Sequence, residues 1–148
     1  MAAVFIIAHA PLASALQAVA AHAFPERTGD VGALDITPDM ADAEGTLRAA
    51  VERWGGRDVL MLADAFGATP CNLAQKMAQH NPRIRVVAGV NVPMLWRVLC
   101  YAESSLDDLV GRAIVGANQG VLHVTCTPRQ NQPSPPPSDD QVQRHDQQ

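Results

Sequence analysis

Apolar runs and polar turns alternate along the chain with a period that predicts repeated strand–helix units. The run Ala3-Val4-Phe5-Ile6-Ile7-Ala8 is continuous, β-branched and aromatic, which is the pattern of a strand buried on both faces. His9 ends it, Pro11 follows, and an Ala/Leu-rich stretch from 12 to 23 reads as a helix with proline at its start. Gly32–Ile36 is a second, weaker strand, and Asp39 or Asp42 caps an amphipathic helix through about Trp54, ended by Gly55-Gly56. Asp58–Ala63 is the third strand. Beyond its loop, Thr69 has the chemistry of an N-cap, with Pro70 opening a helix to about Gln79. Arg83–Val90 is a fourth strand, Asn91-Val92-Pro93 turns into a helix ending near Tyr101, and 106 to 118 continues helical. Val121–Thr125 reads as a fifth strand after Gly120.

This alternation predicts an α/β fold, a doubly wound and mainly parallel sheet with helices on both faces. From Pro128 onward prolines mix with glutamines and aspartates, a composition that predicts a disordered tail over 128–148 and a single domain over 1–127. The 148 residues, 47% hydrophobic and 18% charged, suit one soluble domain. No apolar stretch approaches the roughly 18–20 residues of a membrane span, and the chain opens on a strand rather than a basic signal-peptide region. The net charge of −4, without a Lys/Arg cluster, argues against nucleic acid as a partner. Cys71, Cys100 and Cys126 have no C-x-x-C spacing, which argues for a reducing compartment and against a zinc site.

Chemistry concentrates at three strand ends: His9, the stretch Asp64 to Asn72, and Asn91. In a parallel sheet all three share the carboxyl edge, where ligands of open α/β sheets collect. If the strands are neighbours, the Asp64 carboxylate can bond one ring nitrogen of His9, fix its tautomer and leave the other nitrogen as a nucleophile. The helix opening near Thr69 directs free N–H groups and a positive dipole end into the same space, a seat for phosphate. Together these suggest phosphoryl transfer through phosphohistidine. Each residue also has a plainer reading: His9 as a hydrogen-bonded structural residue, Asp64 as a turn former, Thr69-Pro70 as a helix cap. His22, His80, His123 and His145 lack a comparable setting. Cys71 is a thiolate candidate at a helix N-terminus or a small buried hydrophobe; Trp54 and Trp96 read as packing residues, Trp96 also as a rim residue of the site.

The motifs Ile6-Ile7-Ala8-His9, Asp64-Ala65-Phe66-Gly67-Ala68-Thr69-Pro70-Cys71-Asn72 and Val87-Ala88-Gly89-Val90-Asn91-Val92-Pro93-Met94-Leu95 resemble the IIA component of the mannose/sorbose-type phosphotransferase system over about residues 3–126. The resemblance implies that His9 accepts a phosphoryl group from the phosphocarrier HPr and passes it to a IIB component, with Asp64 supporting the histidine. It implies a phosphate seat at Gly67, Ala68 and Thr69, no cofactor, no metal, a cytoplasmic location and no membrane insertion. It also implies a homodimer in which the 121–125 strand crosses to the partner's sheet, covering an open edge. Ala68 and Thr69 replace a glycine and a serine of the family pattern, and Ala10-Pro11 replaces the glycine that often follows the histidine. A regulatory module, choosing protein partners by His9 phosphorylation without moving sugar, is the second reading. A Cys71-dependent hydrolase or redox enzyme is the third.

Overall fold

The structure, a computed structural model, describes residues 1–126. Four strands, β1 (Ala3–His9), β2 (Val31–Ile36), β3 (Val59–Ala63) and β4 (Ile84–Ala88), form one parallel sheet in the order β2-β1-β3-β4. The helices are α1 (Leu12–Ala23), α2 (Ala43–Glu52), α3 (Thr69–Gln79), α4 (Val92–Cys100) and α5 (Leu106–Gln119). A 3₁₀ turn over Pro25–Asp30, absent from the sequence reading, leads into β2.

Strand residues point alternately to opposite faces, and β1 divides its side chains accordingly. Val4, Ile6 and Ala8 join Leu60, Leu62 and Val87 against α1, α4 and α5. Phe5 and Ile7 join Met61 and Ala63 against α2 and α3, with Leu47, Cys71 and Ala74 facing the sheet. Every residue from Ala2 to Ala8 is buried, so the continuous apolar run is a strand covered on both sides.

Trp54 packs into the second core, edge-on to Phe5 with ring centroids 6.0 Å apart, and its indole N–H donates to the Gly29 carbonyl at 3.2 Å. Gly32 lies beneath this pair: a Cβ there would come within 2.8 Å of the Phe5 ring and closer still to Trp54. Cys71, 1% exposed, is a core residue, which removes the reading of it as a surface nucleophile. Trp96 is 46% exposed beside Cys100 and Tyr101 in a shallow α4–α5 groove, so packing does not describe it.

Val121–Cys126 has no strand pairing within the chain, and Val121, Leu122 and Val124 are exposed. The tail expected over 128–148 lies outside the described residues.

Candidate functional site

The strand order has a consequence that the sequence did not disclose. The chain runs from β1 to β2 on one side and then crosses to β3 on the other, so β1 and β3 flank the topological switch point, whose carboxyl-end crevice is the usual ligand position in such sheets. His9 ends β1 and Asp64 follows β3. Register brings them together: Ile7 pairs with Ala63, which leaves His9 and Asp64 as near neighbours just past the last rung.

One oxygen of Asp64 serves His9 twice. Asp64 Oδ2 accepts from the His9 backbone N–H at 2.9 Å and meets His9 Nδ1 at 2.6 Å. Its other oxygen, Oδ1, accepts from the Ala65 N–H at 2.8 Å. Burial alone would push the Asp64 carboxyl up; the His9 backbone and ring, the Ala65 N–H and the imidazole charge together outweigh it and hold the group below its ordinary value. A carboxylate at that distance makes Nδ1 the protonated nitrogen of a neutral ring, so the lone pair is on Nε2. The two side chains differ sharply in exposure, 58% for His9 and 11% for Asp64: an anchored acid beneath an open imidazole.

Around this pair the helix N-termini are treated unequally. Asp35, at the end of β2, accepts from the Ser14 N–H in the first turn of α1 at 3.1 Å. Asn91 caps α4 by accepting from the Met94 N–H at 2.9 Å, and its amide donates to the Ala117 carbonyl of α5 at 3.3 Å. By contrast α3 has no side-chain cap. Its N-cap is Ala68, and Thr69, expected there, is the first helical residue with Pro70 next. The Thr69 hydroxyl is therefore not spent on the helix. An uncapped N-terminus presents unpaired N–H groups and the positive end of the dipole. Gly67 enters this turn at φ +81°, where a side chain would be strained, and its carbonyl accepts from the Asn72 amide at 3.3 Å. Phe66 stands 81% exposed at the tip of the same loop.

Of the residues singled out from sequence, His9 and Asp64 meet, and Gly67, Ala68 and Thr69 form the adjoining turn. Asn91 reaches the same edge but its side chain is occupied in joining α4 to α5. Pro11 flanks α1 as its N-cap residue rather than opening it, and its carbonyl accepts from the Ala15 N–H at 3.1 Å. Asp35 went unnoticed; its signal was a lone acid near the end of an otherwise apolar strand. Among the described residues no cluster of three or more His, Cys, Asp or Glu side chains is arranged to hold a metal ion, and no helix is long and apolar enough to cross a membrane.

Comparison with known proteins places this geometry in context. A 74-residue stretch, 49% of this chain, is 34% identical to the PTS system mannose-specific EIIAB component of Escherichia coli K12, of which it spans 23%. A 54-residue stretch, 36% of this chain, is 43% identical to the PTS system fructose-specific EIIA component of Bacillus subtilis, of which it spans 37%. The chain thus spans well under half the length of these relatives. The fold superposes on the mannose/sorbose specific IIA subunit of Enterococcus faecalis with a TM-score of 0.78 at 23% identity, covering 86% of this chain and 97% of that one. Residues 3–114 match the family model EIIA-man, the PTS system fructose IIA component. That match takes in both strand ends of the site, and the chain belongs to this family of phosphotransferase-system IIA components.

Proposed function

We propose that the chain is a phosphoryl carrier that takes its phosphoryl group from phospho-HPr on His9 Nε2 and hands it to a IIB component. The observation that carries this reading is the contact of His9 Nδ1 with Asp64 Oδ2 at 2.6 Å beneath an open ring, in a chain of the IIA family. In the forward step the Nε2 lone pair attacks phosphorus in line. The P–N bond to the donor breaks as the new P–N bond forms, and the donor's nitrogen keeps the electron pair. Nδ1 retains its proton, so the phosphorylated ring is cationic and Asp64 balances its charge. Onward transfer returns the P–N electron pair to Nε2 and releases a neutral imidazole, a good leaving group, and the carboxylate repels the phosphoryl oxygens; both keep the adduct ready for that step. The Thr69 hydroxyl and the uncapped turn at Gly67, Ala68 and Thr69 offset charge on those oxygens.

We further propose that the protein works in the cytoplasm as a homodimer, with Val121–Thr125 of each copy adding to the open edge of the other's sheet. The exposure of Val121, Leu122 and Val124 supports this.

The test is incubation with phosphoenolpyruvate, enzyme I and HPr. We expect an acid-labile, base-stable phosphate adduct on the wild type and none on His9→Ala. No adduct on the wild type overturns the proposal, and equal labelling of His9→Ala overturns the residue assignment.

A further inference from the structure

The turn that carries His9 is held from both neighbouring strands. On the β3 side Asp64 takes the backbone and ring of His9 itself. On the β2 side, register sets His9 beside Ile36 and Ala8 beside Asp35. The Ala10 N–H donates to the Ile36 carbonyl at 3.0 Å, a backbone link just before the chain turns into α1. Alternation along β2 sends Val31 and Ala33 into the first core, beneath α1, and Asp35 lies on that same face.

A half-buried acid on an apolar strand face needs a polar partner. Asp35 finds it in the Ser14 N–H, which donates to Oδ1 at 3.1 Å. Ser14 is the third residue of α1, so its amide is one of the four that have no acceptor within the helix. An N-cap side chain ordinarily takes such an amide. Here the N-cap residue is Pro11, which has no side-chain acceptor, and Asp35 supplies one from the adjacent strand, 21 residues on. Ser14 in turn donates its hydroxyl to the Pro11 carbonyl at 3.1 Å. A chain of bonds therefore runs from β2 through Ser14 to Pro11, two residues past His9. A local cap would secure α1 alone. A cap reaching from β2 also fixes where α1 starts relative to the sheet.

We propose that Asp35 is a positioning residue for phosphoryl transfer: by capping α1 through Ser14 it fixes the Ala10-Pro11 turn, and with it the line along which His9 Nε2 meets phosphorus. The inference rests on the phosphoryl-carrier reading of His9. Asp64 decides which ring nitrogen is free, and Asp35 decides where that nitrogen stands. In-line attack is sensitive to placement, a shift of about 1 Å costing on the order of 100-fold in rate. The role needs the acceptor oxygen of Asp35 and not its charge. Asparagine should therefore substitute for it, whereas a side chain without an acceptor should not. A displaced ring slows the transfer step and leaves the affinity for phospho-HPr as it was.

Single-turnover transfer from labelled phospho-HPr, measured over a range of its concentration, separates the saturating rate from the half-saturating concentration. Asp35→Ala and Asp35→Val, the latter suited to a strand, should lower the saturating rate by about tenfold or more, with half-saturation within about twofold of wild type. Asp35→Asn should bring the rate back to within about threefold. Gly32→Ala, which disturbs the opposite face of β2, is the control for lost stability and should keep the wild-type rate in its folded fraction. Nitrogen NMR of the His9 ring should show displaced signals in the alanine and valine variants and wild-type signals in the asparagine variant. Full rates in the alanine and valine variants overturn the proposal, as does a raised half-saturation at an unchanged saturating rate. An asparagine variant as slow as alanine overturns it in favour of charge, and an equal loss in Gly32→Ala overturns it in favour of stability. Loss of the fold in both the alanine and valine variants makes Asp35 a stability residue and overturns it too. No label on the wild type would overturn the carrier reading instead; the ring signals then decide the placement of His9, and unchanged signals in the alanine and valine variants overturn it.

Discussion

The backbone N–H and the ring Nδ1 of His9 converge on a single oxygen of Asp64, at 2.9 and 2.6 Å. The double contact does two jobs. The backbone bond locks the end of β1 to the loop after β3, and the ring bond selects the tautomer. An acid that made only the ring contact would orient the imidazole without fixing the Cα that carries it.

Replacing Asp64 with asparagine separates these jobs. The amide oxygen can still accept both bonds, but the charge that stabilises a cationic ring is gone. Charge-assisted hydrogen bonds contribute about 1.5–3 kcal/mol, so Asp64→Asn should slow phosphoryl uptake from phospho-HPr by roughly 10- to 100-fold. Asp64→Ala should be slower still. Rapid-quench measurement of label transfer checks this, and unchanged kinetics in both directions would refute the role given to Asp64.

The depressed Asp64 group also ties stability to pH. Its folded value lies below the ordinary 3.8, so its contribution is fully present above about that pH and disappears as pH falls through the lower folded value. Urea midpoints of wild type and Asp64→Asn should therefore differ at neutral pH and converge below about pH 4. A gap that stays constant to pH 3 would contradict this linkage.

Thr69 makes no capping bond, so Thr69→Ala should change unfolding free energy by less than about 0.5 kcal/mol. If its hydroxyl contacts the phosphoryl group, uptake should still fall by roughly tenfold, the value of one hydrogen bond to a charged oxygen. Chemical denaturation and transfer kinetics on the same preparation separate the two effects. A loss near 1 kcal/mol with normal transfer would instead mark Thr69 as a cap.

Gly32→Ala tests the packing under Trp54. The added methyl meets both Trp54 and Phe5 in a filled core, and overpacking of that kind costs about 1–3 kcal/mol. Thermal unfolding should show the loss, with a change in the near-ultraviolet signal of Trp54. Phosphoryl transfer in the fraction that stays folded should be untouched.

The strands were legible because each apolar run is short, continuous and bounded by breakers. α1 and the span of α3 followed from composition and proline placement. The cap of α3 was misread because Thr69-Pro70 satisfies the local preference for a hydroxyl before proline. That preference cannot register that Ala68 already holds the extended conformation of an N-cap, at φ −86° and ψ 164°.

His9 and Asp64 could be paired from sequence only by assuming that their strands are adjacent. The order β2-β1-β3-β4 makes them so, and crossover direction is a tertiary choice that local periodicity does not record. Asn91 drew attention as a polar residue at the right edge, yet its structural work with Met94 and Ala117 depends on α5 returning beside α4, more than twenty residues on.

With Nδ1 held by Asp64, anything that reaches the His9 ring reaches one nitrogen. Two proteins cannot occupy a single atom together, so a carrier built this way must release its supplier before it receives its recipient. Exchange through His9 should therefore follow double-displacement kinetics: parallel lines in double-reciprocal plots, and each partner at high concentration inhibiting the other's turn.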